Sequence, residues 1–247
     1  FLKEKKYNFK YFFDLPTGSG LGSSGAFMAL VASILMQAKE PKDYSKKDTA
    51  KLAHKLEKDF LKTSGGRQDE FASIYGGFNS IEFKKDTSRV IKLRPSKKFM
   101  YELEKRSILI FTGVNRKGSP IIDKHIELYK EKKNVKFLHK NKELATTALK
   151  YVKDDDYQNF IDKINYYWEL KKTYNPLVTN RRIDNLIRVA KKNGSHSAKL
   201  LGAGNGGHLL IFSPVEKRSG IIKKLIKLGC TQRYFTYTQY PCSIFIK

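Results

Sequence analysis

Cysteine is scarce in this chain of 247 residues, and so is negative charge. Cys230 and Cys242 are too few for a disulfide framework. Long apolar runs are missing as well. The longest, Ala26 to Met36, is about half of what a bilayer-spanning helix needs and reads as a buried helix. The start, Phe1-Leu2-Lys3-Glu4-Lys5-Lys6, has no apolar segment of the signal-peptide kind. These absences fit a reducing, cytoplasmic setting with no membrane partner. An initiator methionine is absent too, so the chain reads as a fragment or as numbered from inside a longer one.

Acidic residues number 24 against 49 lysines and arginines, a formal net charge of +25. Such an excess can serve nucleic acid. Here, however, the lysines are spread along the chain in short runs such as Lys46-Lys47, Lys84-Lys85 and Lys191-Lys192. No aromatic–basic recognition motif accompanies them, so the expectation is a solvated, Lys-rich surface with no specific nucleic-acid partner. Its field would attract phosphorylated small molecules. What is present suffices for a core: 40% of residues are hydrophobic and 13% aromatic, which makes disorder the weaker reading.

The pattern predicts an aromatic strand over Tyr7 to Phe13, a glycine-rich turn, and an apolar helix from Ser23 or Ser24 to about Gln37. A second helix, Lys46 to Leu61, carries Ala50, Ala53, Leu56 and Phe60 at helical spacing. A short helix starts at Arg67, followed by a strand pair, Phe78 to Phe83 and Val90 to Leu93. Beyond Arg94-Pro95, a buried strand spans Ser107 to Thr112. Helical segments then run from Pro120 to Lys192, broken near Asn134, Asp154 and Asn175-Pro176. Strands at Lys199 to Leu201 and His208 to Phe212 flank a glycine cluster at 202–207. A helix over Val215 to Leu228 and strands at Thr231 to Phe235 and Ser243 to Ile246 complete an α+β chain. The domain boundary is drawn between residues 90 and 91.

Pro16-Thr17-Gly18-Ser19-Gly20-Leu21-Gly22-Ser23-Ser24 is the segment that carries chemistry. A glycine turn between a strand and a helix start brings backbone N–H groups to phosphate oxygens, and the helix end adds partial positive charge. Ser23 and Ser24 add hydroxyls. A Walker A loop would need Gly-Lys-Ser/Thr, and here Ser23 follows Gly22. Gly20, Gly22 and Gly25 satisfy G-x-G-x-x-G, but a dinucleotide fold needs a strand after the helix where a second helix is expected. The protein-kinase segments are absent. The five histidines show no metal-ligand spacing, which argues against a zinc site.

Residues 15–25 resemble the phosphate-binding motif of the GHMP kinases, and Lys199 to His208 resemble that family's C-terminal glycine motif. The segments Gly66 to Ala72, Gly76 to Asn79, Phe111 to Arg116 and Asn180 to Asp184 resemble its heptose-phosphate branch. The resemblance covers nearly the whole chain. It implies a two-domain fold: a ribosomal-protein-like N-terminal domain, incomplete here, over 1–90, and a ferredoxin-like C-terminal domain over 91–247. It implies ATP held by Pro16, Gly18, Ser19, Gly20, Leu21, Gly22, Ser23, Ser24 and Gly204, and Mg²⁺ held by Ser24 and Glu57. Asp69 would act on the attacking hydroxyl as catalytic base. The implied reaction is phosphorylation of a sugar phosphate, a heptose 7-phosphate at its anomeric hydroxyl. The alternatives are another GHMP activity of fucose, galactose or mevalonate type, or a non-catalytic basic binding module. A homodimer is compatible with the family.

Departures from the family pattern are Glu70 where glutamine is common, and Asn205 and His208 where glycine and an apolar residue are usual. Arg67 is either a substrate-phosphate ligand or a surface arginine. No segment matches the family's earlier N-terminal motif, so a fragment or a degenerate form is expected.

Overall fold

The computed structural model describes residues 10, 12, 18–39, 45–62, 65–85, 87–115, 119–131, 134–238 and 240–241. The strand expected over Tyr7 to Phe13 lies almost wholly outside these residues, as do Pro16, Thr17 and the last strand at Ser243 to Ile246. The chain divides into two compact units. The first contains residues 22–91 and the tail residues 238, 240 and 241; the second contains 18–21 and 92–237.

Unit one packs three helices, α1 (Ser23–Lys39), α2 (Lys46–Leu61) and α3 (Gln68–Tyr75). A hairpin of β1 (Asn79–Phe83) and β2 (Ser88–Lys92) runs beside them. Ser45 caps α2 by accepting from the Asp48 amide at 3.0 Å. Ala29, Ala32, Ala50 and Ala53 are wholly buried between α1 and α2, so the axes approach on small side chains. Phe71 and Ile74 of α3 close that core. The expected apolar stripe of α2 holds at Ala50 and Ala53 but fails at Phe60, which is 73% exposed. Glu57, one turn past Ala53, takes the buried position instead. At the end of α3, a Cβ on Gly76 would collide with the backbone of Tyr240 and Pro241, so the tail crosses directly over this residue.

Unit two is built on a four-stranded antiparallel sheet in the order β4-β5-β3-β6. The strands are β3 (Ser107–Phe111), β4 (Ser197–Leu200), β5 (His208–Phe212) and β6 (Thr231–Arg233). Central β3 pairs Leu109 with Leu210 of β5 and with Arg233 of β6. Its residues 107–110 are all buried, as a strand packed on both faces requires. Around it lie α5 (Ser119–Lys130), α6 (Val135–Lys153), α7 (Tyr157–Tyr174), α8 (Arg181–Lys192) and α9 (Val215–Lys227). The core joins Ile108, Ile110, Leu209 and Ile211 to Trp168, Ile183, Leu186 and Ile221.

One helix, α4 (Lys97–Arg106), has no counterpart among the sequence expectations. Ser96 caps it by accepting from the Phe99 amide at 3.0 Å, and Phe99 and Leu103 bury its inner face. Its mean composition is polar, and two buried residues four apart are a weak periodic signal.

Replacing Ala53 by leucine forces three extra carbon atoms into the α1–α2 contact. Overpacking of this kind costs about 1–3 kcal/mol. Thermal melting should show the loss, and an unchanged midpoint would mean that the helices can separate freely at Ala53.

Candidate functional site

The N-terminus of α1 is shaped by two glycines. Gly22 has φ +72°, a left-handed conformation that a side chain would strain. Gly25 is buried against α3: a Cβ there would lie 2.7 Å from Asp69 Cβ and 3.2 Å from the Glu70 amide nitrogen. Absence of that Cβ lets α3 bring Asp69 to the first turn of α1. The nearest carboxylate oxygen of Asp69 lies 3.3 Å from where a Gly22 Cβ would stand. Asp69 is exposed on the second residue of α3. Its carbonyl oxygen accepts from Ser73 Oγ at 2.8 Å, which continues the helix.

Beside it, the exposed Ser24 donates its hydroxyl to Glu57 Oε1 at 2.7 Å. Glu57 is 9% exposed. Burial raises its pKa above the usual carboxylate value, and the Glu70 and Asp69 carboxylates push it the same way, against the Ser24 hydrogen bond. Glu70 is completely buried. Its Oε1 lies 2.8 Å from His54 Nδ1. Its Oε2 has no hydrogen-bond partner among the described residues. Three acids therefore converge at the start of α1 with a histidine and a serine hydroxyl between them.

The preceding stretch of the loop, Gly18–Leu21, is held in unit two. A Cβ on Gly20 would lie 2.9 Å from the Leu201 carbonyl oxygen, and one on Gly207 would strike the Ser19 carbonyl. His208 is wholly buried. Its Nδ1–H donates to the Ser19 carbonyl at 2.7 Å, and its ring packs against Phe111 with centroids 5.1 Å apart. The Gly207 carbonyl accepts from both the amide and the hydroxyl of Thr112, at 2.9 and 2.8 Å. Arg182 donates to the carbonyls of Thr112 and Leu228, at 3.0 and 2.9 Å. The segments 111–115 and 180–184 are thus joined through the end of β3.

The remaining residues singled out in the sequence take varied places. Gly204 lies against Val178, where a Cβ would be 2.6 Å from the Val178 Cα. Asn205 adopts φ +61°, which asparagine tolerates, and its amide donates to the Val178 carbonyl at 2.7 Å. Arg67 donates to the Lys84 carbonyl at 2.8 Å and stacks over the Phe83 ring, so its guanidinium serves the hairpin. Pro16 lies outside the described residues.

Among known proteins, the GHMP kinases N terminal domain matches residues 2–77, which include the loop, Ser24, Glu57 and Asp69. Over those residues the chain is similar to the GHMP kinases. A D-glycero-alpha-D-manno-heptose 7-phosphate kinase of Campylobacter jejuni is 28% identical over 96% of this chain and 70% of its own length. A solved structure of a sugar kinase from Campylobacter jejuni superposes with TM-score 0.72 at 29% identity, over 92% of this chain and 65% of that one. A D-glycero-D-manno-heptose 1-phosphate kinase structure from Bacteroides thetaiotaomicron gives 0.71 at 23% identity, over 95% and 67%. The chain spans about two thirds of the length of these relatives. The mixed helix-and-sheet architecture is that of GHMP kinase structures. No helix among the described residues is long and apolar enough to cross a membrane.

Two contacts escaped the sequence reading. The first is the His54–Glu70 pair. Its signal was the His-x-x-Glu spacing of His54 and Glu57, which puts both on one face of α2. The second is the bond from His208 to Ser19, between residues too far apart in sequence for any local pattern.

That second bond makes a pH prediction. Burial, and next Arg233, lower the His208 pKa below 6.5 despite the Ser19 bond. As pH falls through 6.5 the unfolded chain takes up a proton that the folded chain refuses. Stability should therefore be full above that pH and decline below it, levelling once the folded pKa is passed. Asparagine can place an amide donor near Nδ1 but does not titrate. His208→Asn should show a smaller loss of denaturation midpoint between pH 7.5 and pH 5 than the parent. Parallel pH curves would exclude this role.

Proposed function

We propose that the protein is an ATP-dependent sugar-phosphate kinase acting on a heptose 7-phosphate at its anomeric hydroxyl. The observation that carries this reading is the placement of Asp69 against the first turn of α1 by the missing side chain of Gly25. A carboxylate at that position can take a proton from a hydroxyl aimed at the terminal phosphate. The likeness over most of the chain to a heptose 7-phosphate kinase supports the substrate class.

In this reading the loop Gly18 to Ser24 offers its amides and hydroxyls to the phosphates of ATP, helped by the α1 dipole. Pro16 and Gly204 belong to the same expected set. Ser24 and Glu57 supply the oxygen ligands that Mg²⁺ prefers. Their fit to a cation is supported by the raised Glu57 pKa: carboxylates at 57, 69 and 70 crowd together, and a dication would relieve their repulsion. Bound there, Mg²⁺ would neutralise phosphate charge. Asp69 would orient the sugar hydroxyl and accept its proton as the oxygen bonds to phosphorus and the bond to ADP breaks. The Lys-rich surface, at +25 net charge, would draw both anionic substrates toward the protein.

The test is ADP release by the full-length protein with Mg²⁺-ATP and a panel of heptose, fucose and galactose derivatives and mevalonate. The heptose 7-phosphate should give the highest kcat/KM. Asp69→Asn should lower kcat by about 10²–10⁴-fold, the usual worth of a general base, with binding of ATP retained. Turnover within twofold of the parent would remove Asp69 from the chemistry.

A further inference from the structure

Among the described residues, the Glu57–Glu70 pair has few donors: beyond a hydrogen bond between the two carboxyls, which raises the Glu57 pKa, one oxygen of each is served. Glu70 is wholly buried, and its Oε2 lacks any hydrogen-bond partner among the described residues. Glu57, nearly buried, has Ser24 on Oε1. Both carboxylates are acceptors when ionised, and the donors in reach are His54 and Ser24. Leaving a buried carboxylate oxygen unpaired is costly, so an electropositive partner belongs between them.

The surroundings suit a metal ion. One ligand atom each from His54, Glu57 and Glu70 lies within 4.8 Å of the other two. Metal–ligand bonds of about 2.0–2.2 Å to nitrogen and carboxylate oxygen span such a triangle after small side-chain adjustments. His54 and Glu57 are three apart on α2, and Glu70 lies in the first turn of α3. Two packed helices thus hold the three donors rigidly. His54 is 18% exposed, which leaves an entry path on its side.

We propose that His54, Glu57 and Glu70 form a binding site for one transition-metal dication, of the Mn²⁺ or Zn²⁺ kind, filled in the absence of nucleotide. An imidazole nitrogen with two carboxylates favours these ions over Mg²⁺, which seeks oxygen ligands in near-ideal octahedral geometry. His54 would bind through Nδ1, exchanging its bond to Glu70 for a shared ion. The site adds to the Mg²⁺ reading of Ser24 and Glu57 and does not require it.

The experiment uses chelator-stripped full-length protein with no nucleotide. Mn²⁺ is titrated and the loss of its free electron-paramagnetic-resonance signal is followed; Zn²⁺ is titrated by calorimetry. One equivalent of each ion should bind. Glu70→Gln and His54→Gln should each weaken binding about tenfold or more, and Ser24→Ala should leave it within about threefold. Mn²⁺ should raise the melting temperature of the parent and not that of Glu70→Gln. The same melts check that the isosteric variants fold. Absence of stoichiometric binding would mean that a proton bridges Glu57 and Glu70, and would overturn the inference. So would equal binding by the parent and both glutamine variants. Failure of the kinase reading has a different signature, namely no ADP release from Mg²⁺-ATP with any sugar of the panel.

Discussion

A small volume at the start of α1 gathers Glu57, Asp69 and Glu70 in a protein whose net charge is +25. Around the two buried ones lie neutral-to-basic groups of unit one: His54 Nδ1 lies against Glu70 and the Ser24 hydroxyl donates to Glu57. Keeping three acids together, one fully buried, raises the free energy of the fold. The helices accept this cost because α1, α2 and α3 pack closely on Ala29, Ala32, Ala50 and Ala53. That contact is dense enough to hold the Glu57 and Glu70 carboxylates where solvent cannot separate them. The architecture of unit one reads as a device for concentrating negative charge beside a helix N-terminus that attracts it.

The glycines divide into two sets with different physical work. Gly25 is small so that α3 can approach α1, and the result is the location of Asp69. Gly20 and Gly207 are small so that the loop backbone can lie on the turn between β4 and β5. The second contact is closed by His208, whose Nδ1–H satisfies the Ser19 carbonyl. One continuous loop is therefore anchored by side-chain absence at both ends: residues 18–21 within unit two and residues 22–25 within unit one.

The local signals in the sequence carried far. The turn at 18–22 and the helix after it were readable, because glycine runs and apolar periodicity report on neighbours within one turn. The breaks at Asn134, Asp154 and Asn175-Pro176 separate α5, α6, α7 and α8 as the pattern implied. The second helix that argued against a dinucleotide fold is α2. What failed was long-range. Phe60 matched the apolar spacing of α2, yet Glu57 holds the buried place, where the Ser24 hydroxyl bonds its carboxylate. For Arg67, read as either a phosphate ligand or a surface arginine, the partners Phe83 and Lys84 come from a hairpin later in the chain that no local pattern linked to it. Helix α4 hid in a polar segment whose burial rests on Phe99 and Leu103.

Position 70 shows how much one atom can change. A glutamine at this place would offer an amide donor to the neighbouring carboxylate. Glutamate offers oxygen only, so a donor–acceptor contact with Glu57 becomes a meeting of two acceptors. His54 answers one of the two new lone-pair demands, through Oε1, and leaves Oε2 open. A purely structural substitution would have been expected to avoid this arrangement, because an uncharged side chain of the same shape fills the space without the desolvation cost. The conjunction of a buried acid, an adjacent histidine three residues before Glu57, and an unfilled oxygen is better explained by a positive charge that the three residues share than by packing.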